Sequence, residues 1–175
     1  MGLDCTAYSH LELLPDVNDD WDDENRIHAF AYAGFERSTR GLADHDVKNE
    51  RWGHTFIACR DYSPTEATKT YGWQAGSYSG YGAFRRALAA LNGHSAEDYW
   101  HEDVPESEPF YELVNFADNE GCIGPEAASD LLADFEQHRD QFHKAHAEHP
   151  WFPSTYDEWI TALRLAADEG LVRFH

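Results

Sequence analysis

Lysine is almost missing from this chain of 175 residues: Lys48, Lys69 and Lys144 are the only three. All 13 Lys and Arg stand against 33 Asp and Glu, for a formal net charge of −20. Affinity for DNA or RNA rests largely on neutralising phosphates with basic side chains, so direct nucleic-acid binding is excluded. Cysteine is scarce too. Cys5, Cys59 and Cys122 are odd in number and widely spaced, which makes neither a metal motif nor a disulfide framework. A reducing cytoplasm is the plain reading. No apolar run exceeds a few residues, so no membrane-spanning helix is expected. The opening MGLDCTAYSHLELL lacks the basic and apolar regions of a secretion signal. Thr6 meets the myristoylation pattern only loosely, and no basic patch supports such an anchor. Neither G-x-G-x-x-G nor G-x-x-x-x-G-K-[ST] occurs, and no cofactor is expected. The absence of G-x-S-x-G and of any cysteine signature removes local support for nucleophilic catalysis.

Aromatic residues are plentiful: 6 Trp, 10 Phe and 9 Tyr, enough for a real core and too many for wholesale disorder. The length suits one domain over 1–175. Alternation in LDCTAY (3–8), HAFAYAGF (28–35), WGHTFIACR (52–60) and YGWQAG (71–76) predicts strands. Residues 16–25, 36–50 and 61–70 read as polar connections. The second half reads as helices. Phe84, Ala87, Leu88 and Leu91 form a stripe over 81–91 that ends at Gly93. Residues 109–117 repeat that spacing, although a strand remains open there. A longer helix begins at Pro125 and extends toward Ala147. Ser154 and Thr155, each three residues before an acid, have capping-box spacing for a helix that ends at Gly170. LVRF (171–174) reads as a strand returning to the sheet. The expected class is α+β, with N-terminal antiparallel strands packed on three to four C-terminal helices.

Several segments together resemble a family of uncharacterised bacterial and bacteriophage proteins. They are Met1-Gly2-Leu3-Asp4, Ala75 through Arg85, Glu112 through Pro125, Tyr156 through Trp159, and Phe174-His175. The resemblance implies shared architecture and a phage or prophage setting, not a reaction. The chain departs from the family pattern at Gly82, where Asn is expected, and at Asn119, where Cys is expected. Cys122 is displaced by three positions, which speaks against a thiol function in the Asp118 loop.

Four groups of residues carry candidate chemistry. In GSYSGYG (76–82) a small-residue loop enters a helix, where free backbone N–H groups favour an anion. Ser77 and Ser79 add hydroxyls, Tyr78 and Tyr81 offer rings to stack on a base or sugar, and Arg85 or Arg86 offers a fork to the anion. The competing reading is a plain N-cap, with Ser79 as the capping residue and the tyrosines in the core. Asp118 and Glu120 sit in a turn where they could hold a hard cation, act as acid and base, or simply favour the next helix dipole. His138, His143, His146 and His149 lack H-E-x-x-H and read as a solvated helix face, so no metal is expected. DVNDDWDDEN (16–25) resembles a calcium loop in composition, but Trp21 and Ile27 stand where Gly and Glu are needed.

Three functions follow. The first is capture of a small anionic, nucleotide-like ligand in a cleft at two helix starts, by Ser77, Tyr78, Ser79, Tyr81 and Arg85 with Asp118 and Glu120 accepting ligand hydroxyls. The second is a hydrolase using Asp118 or Glu120. The third is an acidic protein that blocks a basic surface. A protein partner or a homo-oligomer is compatible with each of them.

Overall fold

The computed structural model describes residues 2–15, 26–32, 36–43, 47–51, 54–101, 103–116 and 121–175. The alternation at the N-terminus forms β1 (Gly2–Tyr8), with Leu3, Cys5 and Ala7 buried on one face. β2 (Leu11–Leu13), β3 (Ile27–Tyr32), a 3-10 turn (Glu36–Thr39), β4 (Val47–Arg51), β5 (His54–Pro64) and β6 (Thr70–Ser77) follow. The helices are α1 (Tyr78–Leu91), α2 (Ala96–Trp100), α3 (Tyr111–Asn115), α4 (Pro125–Ala145) and α5 (Phe152–Ala166). β7 (Gly121–Ile123) lies between α3 and α4, and β8 (Leu171–Phe174) closes the chain.

The fold is α+β. One antiparallel sheet has the order β6-β1-β8-β7, so the final strand does return to the sheet. The other has the order β2-β5-β3, with β4 also on β5. The two sheets meet where β7 abuts β3: the Cys122 Sγ lies 3.7 Å from the His28 carbonyl oxygen. The helices cover one face of the first sheet. Trp159 of α5 stands edge-on to Trp73 at 5.1 Å, and Phe135, Phe142 and Tyr156 join α4 to α5. No helix among the described residues is long and apolar enough to cross a membrane.

Several boundaries differ from the sequence expectation, each for a physical reason. β5 runs through 61–64, expected as connection, because Asp61 and Tyr62 pair with β3 and Tyr62–Pro64 with β2. β4 falls largely in the expected 36–50 connection and is paired with β5. Of 109–117, residue 117 lies outside the described residues, and within 109–116 the helix covers Tyr111–Asn115. α1 begins at Tyr78 rather than Tyr81, because Ser77 caps it. α5 begins at Phe152, so Ser154 and Thr155 lie inside its first turn and cap nothing; Ser154 Oγ donates to the Trp151 carbonyl. The predicted stop at Gly93 holds. Its φ of +78° lets the amides of His94 and Gly93 close on the Ala89 and Ala90 carbonyls.

Candidate functional site

The corner between β6 and α1 is built by a sequence that cannot continue the strand. Gly76 takes a φ of +112°, a conformation that favours glycine, and turns the chain into the helix. Ser77 Oγ then accepts from the Gly80 amide at 3.1 Å and lies 3.2 Å from Ser79 Oγ. Ser77, not Ser79, is therefore the cap, and Ser79 buttresses it. Ser77, Tyr78 and Ser79 are exposed, and the other first-turn amides have no intrahelical acceptor. The indole of Trp151, the residue preceding α5, packs beside Gly80.

Tyr81 and Arg85, expected at the ligand, point inward instead. Tyr81 is fully buried against Trp159 and Phe174. Arg85 is 8% exposed. Its guanidinium carbon lies 5.1 Å from the Tyr81 ring centre and 5.6 Å from that of Trp100. One terminal nitrogen donates to the carbonyls of Val114 and Phe116. Those oxygens stand at the C-terminal end of α3, where a cation suits the helix dipole. Trp100 Nε1 donates to the same Val114 carbonyl at 3.2 Å. Arg85 thus fastens α1 to the segment that leads into 117–120, rather than facing a ligand.

Asp118 and Glu120 lie outside the described residues, as do all of 16–25. The strand that follows them can be placed. Gly121 pairs with Phe174 on the β7 edge, and Ser77 pairs with Gly2 on the β6 edge. The two glycine-bearing corners thus sit toward the same end of the sheet, separated by β1 and β8, about 14 Å across three strand spacings. The second helix start is also closed. The Gly124 amide donates to the Ser38 carbonyl at 2.7 Å and the Glu126 amide to the Arg40 carbonyl at 3.1 Å. A Cβ at Gly124 would lie 2.4 Å from the Arg40 oxygen. The 3-10 turn therefore stoppers α4, and the expected cleft between two free helix starts retains one.

Around that stopper runs an ion-pair network. Buried Glu112 accepts from Arg37 at 3.3 Å and Arg40 at 2.8 Å, and Arg40 also meets Asp130 at 2.7 Å. A hollow of about 690 Å³ opens beside Arg40, Tyr62 and Glu126, and a groove of about 450 Å³ runs between α4 and α5. Neither is lined by residues 76–82.

The four expected surface histidines are half-buried packing residues. His149 stacks on Phe152 at 3.6 Å, His146 lies 4.5 Å from Phe142, His138 lies 5.5 Å from Phe110, and His143 meets Asp157 at 3.1 Å. Among the described residues, no group of three or more His, Cys, Asp or Glu is placed to hold a metal. The buried Cys5 thiol is pushed well above its usual pKa, first by desolvation and then by Asp4, which makes it a poor nucleophile.

Two features escaped the sequence reading. His28 Nδ1 lies 2.8 Å from Asp61 Oδ1, and Arg26 donates to Asp61 Oδ2 at 3.1 Å, all among buried or half-buried side chains. An acid that orients an imidazole is a base-preparing arrangement. His28 is only 4% exposed, however, which denies a substrate access. The pair is 33 positions apart and is opposed only through β3–β5 registry. The second feature lies in the sequence itself. Between Glu66 and Glu97 there is no acid, although the chain holds 33. That stretch is β6 and α1, and the first turn of α1 carries no carboxylate while those of α2, α3 and α4 do.

No family model, curated protein or solved structure significantly matches this chain. Its architecture defines it as an acidic α+β protein of two abutting antiparallel sheets, with an exposed, acid-free helix start at α1.

Proposed function

We propose that the protein captures a compact anionic, nucleotide-like ligand at the start of α1. The carrying observation is the acid-free stretch 67–96, which leaves an exposed helix start free of local carboxylates on a chain of net charge −20. Backbone amides and the dipole attract the anion. Ser77 and Ser79 supply hydroxyls, and exposed Tyr78 stacks on a base or sugar ring. Asp118 and Glu120 are assigned to ligand hydroxyls. Tyr81 and Arg85 hold the corner rather than touch the ligand. In a phage or prophage setting, which the family resemblance suggests, such capture would withdraw a nucleotide signal from the host. The test is thermal unfolding with AMP, ADP and inorganic phosphate. Ligand at 100 times its dissociation constant adds about 2.7 kcal/mol to stability. Tyr78→Ala should weaken AMP more than phosphate, and Ser79→Asp should abolish both shifts. Unchanged melting with all three probes at millimolar concentration would refute the reading.

One observation favours a second reading, an acidic protein that blocks a basic surface. Trp100 is 42% exposed within a run containing Glu97, Asp98, Asp103, Glu106 and Glu108. Association through that run should slow steeply with added salt and with Trp100→Ala. It should be indifferent to Ser79→Asp.

A further inference from the structure

β6 is an open edge of the first sheet. Its registry with β1 fixes which backbone groups point outward. The Ser9 amide bonds to the Lys69 carbonyl, and Asp4 exchanges both bonds with His175 on the other side of β1. Bonding alternates along an antiparallel strand, so Tyr71 and Trp73 face β1, while Thr70, Gly72 and Gln74 turn their N–H and C=O groups outward. No described element pairs with that edge.

Open edges in stable monomers are blunted by charge, shortness, proline or bulges. The other open edges here follow that rule: β2 has three residues and contains Glu12, and β4 contains Lys48, Glu50 and Arg51. The free side of β3 is met by β7. β6 has eight residues, TYGWQAGS, with no charge and no proline, and the bulge in its pairing with β1 lies at its C-terminal end, between Gln74 and Ser77, beyond the Thr70–Gln74 stretch. Gly72 at its centre is unexplained within one chain. It has no left-handed φ, and a Cβ there would meet only the Cys5 oxygen, at 4.0 Å. A glycine that weakens a strand without local cause marks the close approach of another backbone.

We propose that β6 pairs antiparallel with β6 of a second copy, about a twofold axis at Gly72, joining two four-stranded sheets into one of eight. In this registry Gly72 opposes Gly72, Thr70 opposes Gln74, and Tyr71 opposes Trp73 across the helix-covered face. The last is an aromatic cross-strand pair of the kind that stabilises sheets. A second copy is the fitting occupant because the strand brings no carboxylate to the contact, where two chains of −20 would otherwise repel. The contact uses the β6 part of the acid-free stretch. It leaves the α1 start about five residues away, so ligand capture and dimerisation fail independently.

The experiment is sedimentation equilibrium over a range of concentrations, with circular dichroism as the folding control. The wild-type chain should show a concentration-dependent dimer, with the Gly72 amide protected from hydrogen exchange only in the dimer. Thr70 and Gln74 are exposed, so T70E/Q74E should fold normally and weaken the dimer at least about tenfold through like charges directly opposed. T70K/Q74E places opposite charges in the same positions and should restore it. A wild-type chain that stays monomeric at millimolar concentration, or a T70E/Q74E dimer as tight as wild type, overturns the proposal. So does failure of T70K/Q74E to recover what T70E/Q74E loses.

Discussion

Replacing Arg85 with methionine separates a ligand-binding arginine from a fastening one. Two hydrogen bonds from a charged donor to the Val114 and Phe116 carbonyls contribute about 1.5–3 kcal/mol each. The Tyr81 and Trp100 rings add about 0.5–1 kcal/mol each. Against this stands the several kcal/mol that desolvating a guanidinium costs, which methionine removes. The loss also leaves two carbonyls without their donor, which keeps the balance unfavourable. The net expectation is a destabilisation of about 3 kcal/mol, lowering Tm by about 6–12 °C for a domain of this length. Urea unfolding followed by tryptophan fluorescence measures it. Arg85→Lys should recover part of the loss, since an ammonium reaches the carbonyls but cannot lie flat between two rings. A change within about 0.5 kcal/mol for Arg85→Met, the range of ordinary surface substitutions, would refute the fastening role.

Gly170→Ala places a Cβ 1.9 Å from the Tyr8 carbonyl oxygen, so backbone must move. The expected cost is about 3 kcal/mol or more, read as a fall in the urea midpoint or loss of soluble protein. Ser77→Ala removes the cap of α1 and should cost about 1 kcal/mol, while Ser79→Ala should cost less. The hydrogen bond from Arg139, with a lesser contribution from His143, holds Asp157 below the usual carboxylate range. Because the folded pKa lies below the unfolded value, this stabilisation is present above about pH 4 and lost as pH falls through the lowered value. Asp157→Asn should therefore flatten the acid limb of the stability–pH curve. An unchanged limb would show that the pair contributes nothing.

Local chemistry alone determined the strand over 3–8, the stripes of α1 and α4, the stop at Gly93 and the start at Pro125. In each case the periodicity or turn residue acts within a few positions. β2, β4 and β7 were illegible because strands of three to five residues draw their stability from partners far along the chain. The same limit hid the site. Ser77 to Ser79 were readable as a helix start, but nothing beside Arg85 announces that its partners are carbonyls 29 and 31 positions away. Nor does the sequence around Pro125 reveal that the 3-10 turn closes the start of α4. Composition decided the charge and where acids are missing. Only the tertiary structure decided which polar groups are consumed inside the protein, because a buried donor must find an acceptor and the fold chooses it.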